Sequence, residues 1–410
     1  MTAPQLELTP VRPAVRSDAP CSLDLLVTVR PPTLANAVRP PLNLGLVLDR
    51  SGSMGQAKKI GYAREAAGFA VRQLTAADRA SLTVFDDAVE TLVPNATVGY
   101  ALTELLRKIA AVEPGGSTAL HGGWLEGARQ VRAGFMTGGL NRVVLLSDGL
   151  ANVGMTEPDA IATDVHRLSK EGVGTSTLGL GDDYNEVLLE AMARAGDGNY
   201  YYVEDPAQLP AIFAAELAGL AATVGRDVSL SIDPGPGVTV ADHLNDFDRL
   251  PDGRLKLPTL IAGMPVYGVV RLNLPAAAAS LAVATVTLNW TADGTTHRTT
   301  AGVTLPAVSG ATWHGLAAVV PVQERAAVLL VARHKRAATA ASAAGDRSTA
   351  RKWLAEARAV LAAAPATPEL VRQAEALARM ENLLHTGQHE KFRKRGRYEA
   401  YSDSHSRPLR

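Results

Sequence analysis

The sequence predicts a Rossmann-like α/β domain that is inserted into an antiparallel β-sandwich and followed by a helical segment. Between residues 42 and 222, continuous apolar strands alternate with helical patterns, as in a mostly parallel sheet with helices on both faces. Residues 5–30 and 226–306 contain short, turn-bounded and often alternating segments, which are typical of an antiparallel sandwich. Residues 315–388 are rich in alanine and have helical spacing. Together these three patterns predict the fold class.

The α/β domain begins at Leu42 with the apolar run LNLGLVLD, which predicts a buried strand. In the helical stretch that follows, Ile60, Ala63 and Ala67 fall on one face. The run SLTVF predicts a strand that leads through a hairpin into an edge strand. Later runs in NRVVLLSD, GTSTLGLGDD and NYYYVED predict strands that are each followed by a helix, the last over roughly residues 205–222.

These patterns divide the chain into consecutive segments. They are residues 1–41 as N-terminal strands of the sandwich, 42–222 as the α/β domain, 223–308 as the remainder of the sandwich, 309–390 as a helical bundle, and 391–410 as a flexible basic tail. Within the bundle, helices are predicted at about 319–343, 347–363 and 368–386, with glycine and proline at the breaks.

Composition narrows the function classes. The chain has 410 residues, and Lys plus Arg equals Asp plus Glu at 41 each, so no global field favours nucleic acid or an anionic membrane. The single cysteine, Cys21, cannot form an internal disulfide and fits a reducing compartment. The sequence lacks a secretory signal and an uncharged apolar stretch long enough to span a bilayer. We therefore expect a cytoplasmic protein without a membrane span.

Polar side chains follow strands at three points of the α/β domain. They are Asp49, Ser51 and Ser53 after LGLVL, Thr118 where a helix opens, and Asp148 after RVVLL. Ligands of open α/β sheets bind at the carboxyl ends of the strands, so these segments are expected to meet there. Carboxylate and hydroxyl oxygens suit Mg²⁺ or Mn²⁺, whereas zinc favours His or Cys. The sequence therefore predicts a divalent-metal site.

This pattern resembles the von Willebrand factor A family with its metal-ion-dependent adhesion site. The D-x-S-x-S motif is matched at Asp49, Ser51 and Ser53, the distant threonine at Thr118 in GGST, and the distant aspartate at Asp148 in LLSDG. The resemblance implies that the serines bind the metal directly, that Thr118 joins them when ligand is bound, and that the aspartates act largely through water. It implies Mg²⁺, with Mn²⁺ or Ca²⁺ as alternatives, and a non-enzymatic role in which a protein partner supplies a carboxylate.

The insertion has a looser resemblance, to bacterial A-domain proteins similar to inter-alpha-trypsin inhibitor heavy chains. The helix at 205–222 leads directly into the sandwich, and the corresponding helix of integrin-type A domains shifts when ligand binds. We therefore expect that ligand capture reorients the two domains.

Structural roles are the alternative for each of these residues. Ser117 or Thr118 could cap the helix that begins near Ala119, and Asp49 and Asp148 could each close a turn. Elsewhere in the domain, Asp86 and Asp87 are predicted to shape the hairpin. Asp183 is predicted to start a capping box with Glu186.

Other function classes remain open. Strand-end aspartates also occur in haloacid-dehalogenase-type phosphatases, but the position of their general acid is held here by Ser51, and Cys21 and Ser147 have no visible base partner. A scaffold role could instead reside in the C-terminal helices and the basic tail, with nucleic-acid contact through the tail alone. Its basic residues are Lys391, Arg393, Lys394, Arg395 and Arg397.

Overall fold

A computed structural model describes residues 3–33, 40–292 and 294–405. The chain forms two compact units, one of residues 36–223 and the other of residues 1–35 together with 224–410. The strands are β1 (Gln5–Pro10), β2 (Val15–Arg16), β3 (Cys21–Arg30), β4 (Leu42–Asp49), β5 (Arg79–Phe85), β6 (Val89–Thr97), β7 (Leu140–Ser147), β8 (Val173–Leu180), β9 (Tyr200–Val203), β10 (Thr223–Pro234), β11 (Thr239–His243), β12 (Leu255–Lys256), β13 (Leu260–Ile261), β14 (Val266–Leu274), β15 (Ser280–Ala292) and β16 (Thr295–Val308).

The helices alternate with strands in the first of these units and dominate the C-terminal part of the second. They are α1 (Lys59–Arg72), α2 (Val98–Ala110), α3 (Leu120–Ala133), α4 (Pro158–Lys170), α5 (Glu186–Ala195), α6 (Leu209–Ala221), α7 (Gly310–Gly315), α8 (Val320–Ala343), α9 (Arg347–Ala363), α10 (Pro368–His385) and α11 (His389–Ser404). Short 3-10 helices at Gly52–Lys58 and Pro206–Gln208 precede α1 and α6.

The unit of residues 36–223 is built on a sheet with the strand order β6-β5-β4-β7-β8-β9. All neighbours in it are parallel except β6, which pairs antiparallel with β5 at the edge, as predicted for the hairpin. Every residue of β4 and of β7 is buried, because helices cover both faces of these central strands. The predicted Rossmann-like α/β class is confirmed.

Two glycines let α3 lie close to the central strands. A β-carbon at Gly45 would lie 2.5 Å from Cγ2 of Val131, and one at Gly127 would lie 2.1 Å from Cγ2 of Val47. Both distances are shorter than real carbon contacts, so any larger residue would push the helix away from the sheet. This close packing fixes α3, whose N-terminus follows Thr118.

The other unit contains antiparallel sheets with the orders β1-β3-β14-β11 and β12-β10-β15-β16-β2, the latter with β13 beside β10. Strand β3 pairs antiparallel with β14, so segments from both sides of the α/β unit share one sheet. Val27 and Val266 from one sheet and Leu230 and Leu288 from the other belong to a common apolar cluster. The additional antiparallel sheets agree with the predicted sandwich.

The C-terminal helices α8, α9 and α10 agree with the predicted helices to within a residue at each end. The prediction of a flexible tail over 391–410 is wrong for residues 391–404, which belong to helix α11. Phe392 and Ala400 of this helix are fully buried, and Tyr401 is nearly so. Apolar burial holds the charged segment in place, and the predicted tail beyond residue 405 lies outside the described residues.

None of the helices in the described part of the chain combines the length and apolar character that crossing a bilayer requires.

Candidate metal centre

The predicted site residues meet at the carboxyl edge of the parallel sheet. Strands β4 and β7 are parallel neighbours, and Leu48 of one pairs with Leu146 of the other. Asp49 and Asp148 therefore leave the sheet side by side. A backbone hydrogen bond also fixes the loop of Gly115 and Gly116 here, because the N–H of Gly52 donates to the carbonyl of Gly116 at 2.9 Å. Parallel topology brings the segments of Asp49 and Asp148 together. The segment of Thr118 follows helix α2 rather than a strand, contrary to the prediction, and loop backbone bonds attach it here.

Asp49 is a fully buried carboxylate whose two oxygens have separate partners. Oδ1 accepts the backbone N–H of Ser51 at 2.7 Å, and Oδ2 accepts the hydroxyl of Ser147 at 2.6 Å. Burial raises the pKa of Asp49 to about 6 against the opposing hydrogen bonds, and the neighbouring Asp148 adds to the rise. The predicted turn-closing role is thus present, together with a charge that is costly to bury.

The hydroxyls of Ser51 and Ser53 lie beside Asp148. Ser53 Oγ donates to Asp148 Oδ1 at 2.6 Å, and the hydroxyls of Ser51 and Ser53 lie 3.2 Å apart. Asp148 is also fully buried. The site therefore presents hydroxyl and carboxylate oxygens within hydrogen-bond distance of one another.

Backbone hydrogen bonds with Asn152 fix Thr118, and its hydroxyl faces Gly149 near the hydroxyl of Ser51. Its N–H donates to Asn152 Oδ1 at 2.8 Å, and its carbonyl accepts the N–H of Asn152 at 3.2 Å. Helix α3 has Ala119 at its N-cap, with no side-chain bond, so the predicted capping alternative for Ser117 or Thr118 is wrong. The threonine is anchored without using its hydroxyl.

Gly149 keeps space open between these hydroxyls. A β-carbon at this position would lie 3.0 Å from Thr118 Oγ1 and 3.7 Å from Ser51 Oγ. Any side chain there would fill the gap that the hydroxyls face. The opening is thus maintained by the residue directly after Asp148.

Lys59 contacts the candidate site and was not among the residues predicted from the sequence. Its Nζ lies 2.7 Å from Asp148 Oδ2, and its side chain is only 9% exposed. Lys59 precedes Ala63 and Ala67 at steps of four residues, so it lies on the buried face of α1. That spacing could have indicated from the sequence that Lys59 is buried, but a lysine side chain is ordinarily expected to be exposed. Ser147 was missed as the partner of Asp49 because it ends a buried strand.

Asp86, which lies beside the loop of Gly115 and Gly116, has structural partners. Asp86 Oδ1 accepts the N–H of Ala88 at 2.9 Å, and its Oδ2 accepts Arg50 Nε at 3.0 Å. Burial favours a higher pKa for Asp86, but the Ala88 N–H and the Arg50 guanidinium hold it below the usual value. The hairpin-shaping prediction is confirmed for Asp86.

The predicted capping box at the start of α5 is wrong. The N-cap is Asn185 rather than Asp183, and Asn185 Oδ1 accepts the N–H groups of Val187 and Leu188 at 3.1 Å each. The Asn side chain is one of the preferred helix caps, and it lies directly before the first helical residue.

The donor set fits a hard divalent cation. Among the described residues, no three His, Cys, Asp or Glu side chains are grouped to hold a metal, so any cation here depends on hydroxyls as well as on the two aspartates. Such all-oxygen sets suit Mg²⁺, which keeps exchangeable water. The buried Asp49 charge and the gap at Gly149 both agree with a bound cation.

Comparisons with known proteins identify the unit that carries this site. Residues 43–215 match the von Willebrand factor type A domain. The uncharacterized protein YfbK of Escherichia coli is 29% identical over 198 residues, which cover 48% of this chain and 34% of that protein. An uncharacterized Synechocystis protein is 31% identical over 179 residues, covering 42% and 39%. The matched segment thus spans little more than a third of these relatives.

Solved structures extend the likeness in fold to nearly the whole chain. A von Willebrand factor type A protein from Catenulispora acidiphila superposes with a TM-score of 0.69 at 15% identity, covering 93% of this chain and 89% of that one. The ArnB paralog VWA2 from Sulfolobus acidocaldarius gives 0.63 at 17% identity, covering 98% and 99%. At these identities the likeness concerns the fold.

Proposed function

Residues 43–215 are a von Willebrand factor type A domain, and we propose that this domain captures a protein partner through a bound divalent cation. The proposed ligand set is Asp49, Ser51, Ser53, Thr118 and Asp148. The observation that carries the proposal is that the hydroxyls of Thr118 and Ser51 face the gap at Gly149. Ser53 connects Ser51 to the buried Asp148, and the buried Asp49 accepts the N–H of Ser51.

The chain's own residues prepare the site. Ser147 and the Ser51 N–H fix Asp49, so its carboxylate keeps one orientation. Asn152 fixes the backbone of Thr118. A bound cation supplies a Lewis-acidic centre with positive charge to spare, which attracts a carboxylate oxygen from outside. We propose Mg²⁺ as that cation, with Mn²⁺ and Ca²⁺ as alternatives.

Binding rather than catalysis has the better support. A phosphatase of the haloacid-dehalogenase type needs a general acid two residues after Asp49, and Ser51 has no acidic proton to give. The scaffold alternative is weakened because Lys394 is 1% exposed on its side chain and Arg393 pairs with Glu390. These basic residues serve the folded helix, which weakens the case for nucleic-acid contact as well.

The test combines metal binding with partner capture. The full chain is titrated with Mn²⁺, and free Mn²⁺ is measured by electron paramagnetic resonance. We expect one site in the wild type, none in the Ser51→Ala/Ser53→Ala variant, and wild-type binding in Ser117→Ala, an exposed neighbour of Thr118. Partner capture with Mg²⁺ should be lost with EDTA and in the double variant. Retention in both would point to the helical segment.

Reorientation on capture is proposed from chain connectivity alone. Helix α6 ends at Ala221 and β10 begins at Thr223, so a shift of the helix acts on the strand without an intervening linker. The solution-scattering profile of the protein should change when the partner is captured, and the change should be larger than the partner's own contribution explains. Profiles explained by the added mass alone would leave a rigid binding module.

A further inference from the structure

Lys59 is a buried lysine whose ammonium reaches the proposed metal centre. The two residues before α1, Ala57 and Lys58, have left-handed backbone conformations with φ of 48° and 58°. This turn directs two adjacent lysines differently, because Lys58 is exposed and Lys59 is buried. The Lys59 Nζ donates to Asp148 Oδ2 at 2.7 Å. The local backbone thus places a cation inside the site.

The surroundings of this ammonium provide little else to bond. A β-carbon at Gly181 would lie 3.5 Å from both Cε and Nζ of Lys59, so the chain directly after β8 closes one side. Among the described residues, Asp148 is the one side chain that accepts a hydrogen bond from this ammonium, which has three donors. A buried charge is costly unless it is fully paired. Hydrogen bonding alone therefore explains the burial of Lys59 poorly, and the effect of its positive charge on the proposed metal site explains it better.

Formal charges show what the lysine changes. Asp49 and Asp148 carry two negative charges when ionised, and Lys59 reduces this to one. A divalent cation then leaves the site with one positive charge, which matches a single carboxylate from outside. Without the lysine, the same cation would be neutralised by the chain's own aspartates, and an external carboxylate would gain less.

We propose that Lys59 is a built-in competing cation, which weakens divalent-metal binding and reserves positive charge for a carboxylate ligand. This inference rests on the proposed function, because it concerns the same site. Even at the dielectric constant of water, a single and a double positive charge about 6 Å apart repel enough to change affinity about tenfold. The alternative is that Lys59 merely holds Asp148 in place, and that role predicts the opposite sign for metal affinity.

The experiment measures Mn²⁺ affinity of the full chain by calorimetry at pH 8, with and without acetate as the carboxylate probe. The variants are Lys59→Met and Lys59→Gln, and the matched control is the exposed neighbour, Lys58→Met. Glutamine can still donate a hydrogen bond to Asp148 but carries no charge, so it separates charge from positioning. Circular dichroism checks that each variant is folded. If Lys59→Met does not fold, the comparison of Mn²⁺ affinity is made with Lys59→Gln alone.

We expect both Lys59 variants to bind Mn²⁺ at least about tenfold more tightly than the wild type, with Lys58→Met unchanged. Acetate should raise the apparent Mn²⁺ affinity of the wild type and do so less in the Lys59 variants, because such coupling is reciprocal. Equal or weaker Mn²⁺ binding in the variants would overturn the proposal while leaving the metal site intact. Absence of Mn²⁺ binding in wild type and variants alike would overturn both the proposal and the function.

Discussion

Lys59 in the α/β unit and Lys335 among the C-terminal helices are both buried and both contact carboxylates. The Lys335 side chain is fully buried, and its Nζ donates to Gln373 Oε1 at 2.9 Å and to Glu399 Oε2 at 2.7 Å. Asp403 Oδ2 lies 3.9 Å away. These partners come from α10 and α11, so the lysine of α8 joins three helices.

The difference lies in what surrounds each ammonium. Lys335 is enclosed by an amide and two carboxylates, so its ammonium already neutralises charge that a metal would otherwise neutralise. These contacts connect α11 to α8 and α10. Lys59 has one carboxylate partner beside serine hydroxyls and a gap kept by Gly149. A buried lysine–carboxylate pair is thus a structural contact where further partners complete it, and it belongs to the proposed binding site where they do not.

The largest expected effect comes from breaking the structural pair. Lys335→Met should lower the free energy of unfolding by about 3–5 kcal/mol, because it leaves Glu399 buried without its counter-ion. Urea denaturation measures this loss, with the exposed Lys352→Met as control. A loss below that of the control would mean that the network is solvated, and the comparison with Lys59 would fail.

The network should also make stability depend on pH. Burial raises the pKa of Asp403 to about 6, against the attraction of Lys335 and with the help of Glu399 and Glu369. Because the native pKa exceeds the unfolded value, the native state binds more protons, and stability falls as the pH rises from about 4 to about 6. Asp403→Asn should remove this fall, gaining at most about 3 kcal/mol at pH 8 and nothing at pH 4.

Chemical denaturation of the wild type and of Asp403→Asn across this pH range provides the measurement. Other buried acids, such as Asp49, titrate in both proteins, so the difference between the two curves isolates Asp403. Parallel curves would contradict the raised pKa.

Metal should stabilise one unit through the open site and leave the helical network unaffected. At Mg²⁺ concentrations about 100 times the dissociation constant, the wild type should gain about 2.7 kcal/mol. Ser51→Ala/Ser53→Ala should lose this gain, whereas Asp403→Asn should keep it. Thermal melting with Mg²⁺ and with EDTA tests both expectations, and an equal gain in the double variant would place the metal elsewhere.

The smallest effect is expected from an exposed pair. Arg107 donates to both carboxylate oxygens of Glu104 on α2, and these hydrogen bonds lower the pKa of Glu104. Both side chains are solvated, so Glu104→Gln should leave the denaturation midpoint unchanged within error. A clear shift would show that exposed ion pairs matter here, and would weaken the contrast drawn from burial.

The placement of the two aspartates could be predicted from the sequence because each follows a central strand of the parallel sheet. Asp49 and Asp148 end adjacent parallel strands, and such ends meet at one edge of a sheet whatever the intervening residues are. Lys59 was not assigned in the same way, because its four-residue spacing from the buried Ala63 was the available signal and a lysine is ordinarily expected in solvent. Local propensity contains no signal for a pairing that only tertiary structure creates.

Helix α11 shows the other limit of sequence reasoning. Its segment is strongly charged, and its mean polarity resembles that of a solvated tail. Yet Phe392, Gly396 and Asp403 recur near helical spacing on the side that is packed, and their partners lie on α8 and α10. A face made of one aromatic ring, one glycine and paired charges gives no apolar periodicity in the sequence, so the helix was not predicted.

Anomalous scattering from crystals soaked in Mn²⁺ would test directly whether a divalent cation binds at Asp49, Ser51, Ser53, Thr118 and Asp148. We expect one anomalous peak bounded by the hydroxyls of Ser51, Ser53 and Thr118, and no peak there in Ser51→Ala/Ser53→Ala crystals. A wild-type site without that peak at saturating Mn²⁺, or a peak that persists in the double variant, would contradict this expectation.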